Sequence, residues 1–332
     1  MVKLEQDDTL RIKHETPGSH YRLKVFMIGG LAGCTAKTVV APLDRVKILF
    51  QTSNPEYINL SRQHFGMFKA VNAIYKGYGL RGLFQGHSMQ LARIYPYAAI
   101  KFLVYEESVK FYESIRLLKN THLAHFLAGS TAGIMSLVCA YPFEIIRVRM
   151  AYSTPHSNAL SFRARDVIQT ISKENAGRLP IFNFYRGFTL SLLGMIPYGG
   201  MSFLTHNFLT ELARNQFKDY ATISEDPNTV NSRKRKKLEL RAWAELLAGG
   251  ISGVVGQTCS YPFEIVRRRQ QISGLKNPTE FTSAIDTART IWMAQGYRGF
   301  FVGLTIGYIK VLPMFAVSFY TYEKLKSWLD LE

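Results

Sequence analysis

The segments YPFEIIRVR (residues 141–149) and YPFEIVRRR (residues 261–269) are nearly identical, and a looser copy, APLDRVKIL, begins at residue 41. Each copy contains a proline, an acidic residue two positions later and a basic residue three positions after the acid. Self-similar segments at a regular spacing are the signature of a repeat architecture. The chain is therefore predicted to contain three copies of one structural unit.

Glycines occur in the same register in all three copies. The segments GGLAG (29–33), GSTAG (129–133) and GGISG (249–253) each end nine residues before the repeated proline. A second glycine set, each member ten residues before a further proline, consists of Gly86, Gly187 and Gly303. Small residues four positions apart allow helices to approach closely in a membrane. The repeated unit is thus predicted to be a pair of membrane helices in close contact.

Apolar residues are concentrated in six stretches, although the whole chain has the average hydropathy of a soluble protein. Its 332 residues carry a formal net charge of +17, and the mean hydropathy is −0.03. The apolar stretches lie near residues 25–42, 87–105, 124–142, 188–209, 244–262 and 304–322. Each is close to the ~20 residues that cross a bilayer as a helix. The predicted fold class is an all-α membrane protein with six transmembrane helices in three pseudo-symmetric two-helix repeats.

The repeated motif resembles the signature of the mitochondrial carrier family. The resemblance rests on the threefold PxDxxK or PxExxR pattern, the GxxxG before it and the triplet Tyr185-Arg186-Gly187 after it, and it covers about residues 24–328. It implies six helices around a central water-filled cavity, in a multi-pass protein of the mitochondrial inner membrane with both termini towards the intermembrane space. It also implies a monomer among inner-membrane lipids such as cardiolipin, with no cofactor.

The repeats divide the chain into five predicted segments. These are a polar N-terminal tail (1–23), carrier repeat 1 (24–118), carrier repeat 2 (119–219), a basic linker (220–240) and carrier repeat 3 (241–332). The linker contains the run Arg233-Lys234-Arg235-Lys236-Lys237, which by itself would suit a nucleic-acid binder. Because a nucleic-acid domain does not need six apolar spans, we expect a solvated loop and no nucleic-acid partner.

The family resemblance gives the repeated acids and bases a role as a matrix gate. Proline removes a backbone donor and kinks a helix, which would bring the ends of the odd-numbered helices together. The resemblance pairs the acid of one repeat with the base of the next: Asp44 with Arg147, Glu144 with Arg267, and Glu264 with Lys47. Gln51 and Gln271 match the glutamine brace of the family, and Ala151 occupies the corresponding place in repeat 2.

The family also has a cytosolic gate, an aromatic–acid–x–x–base motif on the even-numbered helices. The acid and base positions of this gate are Glu106 and Val109, Asn207 and Thr210, and Glu323 and Lys326. When each acid position is paired with the base position of the next repeat, no ion pair is complete. Val109 stands at the base position that faces Glu323, and the neighbouring Lys110 is the base left to contact this acid. A charged outer gate is therefore not expected.

Residues in the predicted cavity indicate an anionic cargo. Arg93, Gly194 and Lys310 lie three residues before the even-helix prolines, and Lys37 adds a third cation. Arginine and lysine favour phosphate through charge-assisted hydrogen bonds, and the glycine leaves room for a flat ring. The predicted substrate-binding residues are Lys37, Arg93, Gly194, Met195, Tyr198, Gln257, Ser260 and Lys310. Helix packing is the alternative explanation for Met195 and Tyr198.

Longer segments are similar to the coenzyme A carriers, the group that includes the Graves disease carrier protein. They are AGCTAKTVVAPLDRVKILFQ (32–51), GMIPYGGMSF (194–203) and YPFEIVRRRQQ (261–271). The resemblance implies alternating-access transport of coenzyme A, or of a related adenine nucleotide such as adenosine 3′,5′-diphosphate. An ADP/ATP carrier or an ATP-Mg/phosphate carrier is the alternative. The RRRMMM signature of ADP/ATP exchangers is replaced here by RRRQQI, and the N-terminal tail contains no EF-hand loop.

Enzyme motifs are absent from the sequence. It contains no GxSxG, no Walker loop and no paired catalytic carboxylates. The three cysteines form no CxxC and are too few for a disulfide framework, and no His/Cys set has metal-ligand spacing. The prediction is a transporter without catalytic activity and without a metal site.

Overall fold

Six long helices and several short ones form the molecule. The computed structural model describes residues 19–115, 122–154, 163–174, 179–217, 220, 240–276 and 282–329. In chain order the helices are α1 (Ser19–Gln51), α2 (Gly66–Leu83), α3 (His87–Ser114), α4 (His122–Tyr152), α5 (Ala164–Lys173), α6 (Pro180–Asn183), α7 (Phe188–Gln216), α8 (Ala242–Lys276), α9 (Ala284–Gln295), α10 (Leu304–Ile309) and α11 (Val311–Trp328). The six predicted apolar stretches fall on α1, α3, α4, α7, α8 and the α10–α11 pair. Each repeat therefore contains a long helix, one or two short helices and a second long helix.

The predicted domain boundaries stay predictions, and parts of two of the predicted segments lie outside the described residues. Helix α1 begins at Ser19, inside the predicted polar tail, because the helix extends beyond its apolar stretch. Residues 1–18 of the tail and residues 221–239 of the basic linker lie outside the described part of the chain.

A glycine precedes the second long helix of each repeat, because the backbone at that position is left-handed. Gly86, Gly187 and Gly303 precede α3, α7 and α10, and each has φ near 80°. A residue with a Cβ adopts this conformation at a cost, whereas glycine does so freely. The second glycine set of the sequence is thus explained by the turn that starts each of these helices.

The prediction that the GxxxG glycines form the close helix contacts is wrong. A Cβ added at Gly29, Gly33, Gly129 or Gly133 would meet nothing within 4 Å outside its own helix. The buried small residue is instead the one before the second glycine of each motif. These residues are Ala32, Ala132 and Ser252, which are 2%, 0% and 3% exposed. Because a helix turns by 100° per residue, the contact face is one position away from the glycine face.

The long helices are arranged as a closed ring. Helix α3 packs against α4, α7 against α8, and α11 against α1. The second long helix of each repeat therefore packs against the first long helix of the next repeat. Helices α1, α4 and α8 also contact one another. These three contacts close the ring at one end.

The packed core lies at the end of the ring that contains the repeated motif, which we call the closed end. Its buried apolar clusters include Val46 and Leu49 of α1, Ile145 of α4 and Ile265 of α8, packed with residues of the short helices. By contrast, Gln90 is the one buried residue of α3, and α11 has none. The opposite end, the open end, is therefore much less tightly packed.

The length and composition of the helices suit a membrane. Four segments are long and apolar enough to cross a bilayer: Lys24–Gln51, Leu123–Tyr152, Pro180–Gln216 and Tyr297–Trp328. The other two predicted spans, α3 and α8, are 28 and 35 residues long, which exceeds the ~20 residues required, but they contain more charges. Large apolar side chains such as Phe102, Phe203 and Phe319 are exposed, as expected of a surface that contacts lipid.

Candidate functional site

Three ion pairs join the repeats at the closed end, where α1, α4 and α8 meet. They link Asp44 to Arg147, Glu264 to Lys47 and Glu144 to Arg267. The first two pairs have N–O distances of 3.0 Å each. These are the three pairs that the sequence suggested, and we call the six residues the closed-end ring. Its role as a gate remains a prediction.

Two of the predicted substrate-binding cations also contact acids of this ring. Arg93 Nη1 lies 2.9 Å from Glu144 Oε2, and Lys310 Nζ lies 2.7 Å from Asp44 Oδ1. Helix α10 ends at Ile309, next to Lys310. Arg268, which the sequence analysis did not select, places its Nη1 2.9 Å from Glu144 Oε1. The two predicted cavity cations and the closed-end ring therefore form one connected network of charges.

The cations are unevenly distributed over the three acids. Within the described residues, Glu144 forms ion pairs with Arg93, Arg267 and Arg268. Asp44 forms two ion pairs and Glu264 forms one. The position in α7 that corresponds to Arg93 and Lys310 is a glycine, which has no charged side chain. Glu264 therefore forms fewer ion pairs than Asp44 and Glu144.

Glutamine and tyrosine side chains support two of the three ion pairs. Gln51 Nε2 donates to Glu264 Oε1 at 3.0 Å and to the Tyr261 hydroxyl at 3.1 Å. Gln271 Nε2 donates to the Tyr141 hydroxyl at 3.1 Å. The braces predicted from the sequence thus occupy the expected positions, each with a tyrosine that immediately precedes a repeated proline.

A different glutamine supports the third ion pair. Ala41 and Ala151 stand where the other repeats have the tyrosine and the glutamine, so both halves of this brace are missing. Gln90 of α3 donates from Nε2 to Asp44 Oδ2 at 3.1 Å instead. The absence of a glutamine at Ala151 was evident from the sequence, whereas the role of Gln90 was not. The joint loss of the tyrosine and the glutamine was the available signal that a substitute was needed.

Three arginines join the repeats beyond the closed-end ring, and the sequence analysis did not select them. Arg45, Arg149 and Arg269 each contact the next repeat in cyclic order. Arg45 Nη2 donates to Ser153 O at 3.1 Å, Arg149 Nε to Gln271 O at 2.9 Å and Arg269 Nη2 to Ser53 Oγ at 2.7 Å. Arg149 also forms an ion pair with Glu174, which is buried between Arg149 and Arg186.

Arg45 is the exception in this set, because it stands three residues after its proline and the others seven. It is 2% exposed and donates to Gly82 O and Ala151 O as well as to Ser153 O. Its guanidinium lies 5.9 Å from the centre of the Tyr78 ring. Burial raises the pKa of the Tyr78 phenol, so this hydroxyl remains a donor, 3.4 Å from Glu56 Oε2.

The remaining predicted cavity residues have several environments. Lys37 Nζ lies 3.2 Å from Met314 Sδ and forms no ion pair with a described acid. Ser260 Oγ donates to Gln257 O at 3.2 Å. Met195 and Tyr198 are about half exposed, at 47% and 48%.

The interpretation of Gly194 as room for a flat ring stays a prediction, and the structure gives a second explanation for this glycine. A Cβ at this position would lie 3.2 Å from Phe263 Cβ. The absence of a side chain therefore makes space for Phe263, where α7 and α8 pack against each other. Helix packing is sufficient to explain this glycine.

The open end has a different electrostatic arrangement. Among the described residues, Glu106, Glu323 and Lys326 form no ion pair. Lys110 Nζ lies 2.7 Å from Glu107 Oε1 on its own helix, so it does not take the place beside Glu323 that the sequence left open. Thr210 is 7% exposed, and its hydroxyl donates to the backbone of α7.

Comparison with known proteins places these features in a family. Residues 19–115, 119–217 and 238–331 each match the family model described as mitochondrial carrier protein. Mitochondrial carrier protein LEU5 of Saccharomyces cerevisiae is 40% identical, over 97% of this chain and 95% of the relative. Human solute carrier family 25 member 16 is 37% identical, over 94% and 90%. Mitochondrial adenine nucleotide transporter ADNT1 of Arabidopsis thaliana is 32% identical, over 93% and 88%.

Proposed function

Since this chain belongs to the mitochondrial carrier family and is a membrane transporter with three carrier repeats, we propose that it carries coenzyme A or a closely related adenine nucleotide across the mitochondrial inner membrane. The cargo binds between the two ends of the helix ring and passes by alternating access. The observation that carries this proposal is the set of cations at the base of the cavity. Arg93 and Lys310 are only partly buried, with 27% and 19% of their side chains exposed.

The charge balance at the closed end supports an anionic cargo. Among the described residues, the three carboxylates of the closed-end ring form ion pairs with six cations, which leaves this network a net charge of +3. Lys37 lies nearby and raises this excess from three positive charges to four. Charge-assisted hydrogen bonds to phosphate oxygens are favourable for both arginine and lysine. A polyanion with several phosphate charges would neutralise this excess.

Sequence similarity supports an adenine nucleotide as the organic part of the cargo. A relative named as an adenine nucleotide transporter is 32% identical over almost the whole chain. The segments 32–51, 194–203 and 261–271 are similar to the coenzyme A carriers. Coenzyme A combines an adenine ring with phosphate groups at two positions, so it suits both observations.

An ADP/ATP or ATP-Mg/phosphate carrier is the second candidate, favoured by the arginine triplet that follows Pro262. In this structure Arg267 and Arg268 contact Glu144, and Arg269 contacts Ser53. The triplet thus has structural partners that explain it without a nucleotide. Gln271, where the exchanger signature has methionine, braces the closed-end ring. These contacts favour the coenzyme A proposal.

We further propose the orientation and surroundings that the family resemblance implies. The termini face the intermembrane space, the closed-end ring faces the matrix, and the protein works as a monomer among inner-membrane lipids. Repeats 24–118, 119–219 and 241–332 are the units of the fold, and the run 233–237 is a solvated loop. Protease digestion of a C-terminal epitope tag in mitochondria with a ruptured outer membrane tests the orientation, because only a tag in the intermembrane space is removed.

Uptake into proteoliposomes tests the cargo. The purified protein is reconstituted and supplied with labelled coenzyme A, dephospho-coenzyme A, adenosine 3′,5′-diphosphate, ADP or ATP, each against a panel of internal substrates. Liposomes without protein are the control. Faster uptake of coenzyme A or adenosine 3′,5′-diphosphate than of ADP and ATP supports the proposal. Preferential uptake of ADP or ATP would replace it with the second candidate.

A further inference from the structure

Arg93 and Lys310 each contact an acid on a helix that packs against their own helix. These contacts differ from those that join α1, α4 and α8, the first long helices of the three repeats. Arg93 is on α3 and its partner Glu144 is on α4, and these helices pack along their length. Lys310 lies between α10 and α11, and its partner Asp44 is on α1, which packs against α11. The ion pairs of the closed-end ring instead join α1, α4 and α8 to one another.

Opening of the closed end therefore affects the two kinds of contact differently. Separation of α1, α4 and α8 breaks the pairs of Asp44 with Arg147 and Glu144 with Arg267. It leaves Arg93 with Glu144 and Lys310 with Asp44, because those helix pairs do not have to separate. A buried acid that loses every partner is strongly destabilised, whereas one that keeps a partner is not.

We propose that Arg93 and Lys310 are permanent counter-ions of two gate acids and set the balance between the closed and open states. This inference rests on the proposed function, in which the closed-end ring is a gate. When the gate opens, Glu144 and Asp44 keep a cation each. Glu264 keeps no ion-pair partner among the described residues, because α7 carries Gly194 at the equivalent position, and only Arg268, four residues later on the same helix, remains near its charge. The Lys47–Glu264 pair is thus the main contact that holds the gate shut.

Both cations have donors left for a cargo while they hold their acids. Arg93 contacts Glu144 through Nη1, and a guanidinium has five N–H donors. Lys310 contacts Asp44 through one of its three N–H bonds. Each side chain therefore serves the cargo on its cavity side and the gate acid on the other side.

The first consequence is an order among the bases of the ring. Removing Lys47 leaves Glu264 without an ion pair, whereas removing Arg147 leaves Asp44 with Lys310. Removing Arg147 also relieves repulsion between two cations on one acid. Lys47→Met should therefore open the closed end more than Arg147→Met does.

The second consequence concerns the counter-ions, and its sign is unusual for a charged contact. Arg93 is beside Glu144 in both states, but it is close to Arg267 and Arg268 only when the gate is closed. Arg93→Met thus removes repulsion from the closed state and a needed partner from the open state. The variant should favour the closed state, and Lys310→Met should do the same.

Distances between spin labels measure these populations without any cargo. The native cysteines, Cys34, Cys139 and Cys259, are replaced by serine. Cysteines that carry the spin labels are introduced as Lys69→Cys in α2 and Ser172→Cys in α5, at positions that are exposed at the closed end. The reconstituted full chain is studied by pulsed electron paramagnetic resonance. We expect Lys47→Met to add a longer-distance population that Arg147→Met adds to a smaller extent. Equal or reversed effects of the two variants contradict the proposal.

Adding the counter-ion variants to Lys47→Met then tests their sign. Arg93→Met or Lys310→Met should lower the ratio of open to closed populations by about fivefold, the size of a change of about 1 kcal/mol. Arg93→Lys should keep the ratio of the Lys47→Met parent, and so should Lys101→Met, which removes an exposed cation without a described ion pair on the same helix as Arg93. An unchanged or increased ratio in Arg93→Met and Lys310→Met overturns the inference. Because no cargo is present, failure of coenzyme A uptake would not alter this result.

Discussion

The two ends of the helix ring are built from the same threefold pattern but hold charge in different ways. At the closed end, three acids form six ion pairs with cations, and three glutamines support them. At the open end, the described acids and bases at the corresponding gate positions form no ion pair with one another. The difference indicates that the resting molecule is held together at the closed end. We therefore expect cargo to reach the cavity from the other end.

Reversing a charge in the closed-end ring is the strongest test of this comparison. Asp44→Lys places a third cation beside Arg147 and Lys310, and breaking a buried ion pair costs about 3–5 kcal/mol. Uptake of coenzyme A into proteoliposomes should be lost, and Arg147→Asp in the same chain should recover part of it. Glu106→Lys at the open end is the matched control, because Glu106 forms no ion pair with a described residue, and the uptake of this variant should change little.

The double variant decides whether the two residues act as a pair. If Asp44→Lys with Arg147→Asp is no more active than the weaker single variant, the pairing seen in the structure does not operate during transport.

Removing a cavity cation should have the next largest effect. Arg93→Ala deletes a charge-assisted contact worth about 1.5–3 kcal/mol, so the rate of uptake at low cargo concentration should fall by about 10–100-fold. Arg93→Lys should retain part of the activity. Lys101→Ala, on the same helix, removes an exposed cation without a described ion pair and should cause a smaller loss. Near-normal uptake by Arg93→Ala would remove this residue from the binding site.

The glutamine that replaces the missing brace gives a smaller, thermal effect. Gln90→Ala removes the hydrogen bond to Asp44, and the midpoint of thermal unfolding in detergent should fall by at least about 2 °C. Gln51→Ala, which removes a regular brace, is the comparison and should cause a similar decrease. A decrease with Gln51→Ala alone would mean that Gln90 does not act as a brace.

New ion pairs at the open end should have the smallest effect. Val109→Lys supplies a base for Glu323, and Asn207→Asp supplies an acid for Lys326. Exposed ion pairs contribute about 0–1 kcal/mol each, so the two together should make the closed end open somewhat more often and alter the transport rate. Unchanged state populations would show that packing, and not charge, closes this end.

The repeat pattern was sufficient to predict the six helices, because it recurs three times, and the resemblance to the carrier family gave the partners in the closed-end ring. Arg268 and Gln90 were not predicted, because neither has an equivalent in the other repeats that makes the same contact. Arg45 was not predicted because it stands three residues after its proline, whereas Arg149 and Arg269 stand seven residues after theirs. Their roles depend on distances between helices, which a periodic sequence does not specify.

The glycine motifs show a second limit of sequence reasoning. The GxxxG glycines were wrongly predicted to be the contact residues, because the contact face lies one residue away, at Ala32 and its equivalents. Gly194 likewise has a packing role against Phe263 that the comparison of repeats did not reveal. Small residues mark a place where helices meet, whereas the direction of the contact depends on the rotation of each helix.

Access to the cavity in the absence of cargo is the most direct test of the difference between the two ends. A single cysteine is introduced as Thr38→Cys in the cysteine-free chain, next to Lys37 on α1, where Thr38 is exposed and its hydroxyl lies 3.0 Å from His87 Nε2. A thiol reagent that does not cross membranes is applied from either face of oriented inner-membrane vesicles. We expect rapid labelling from the intermembrane-space face and slow labelling from the matrix face. Predominant labelling from the matrix face would contradict it.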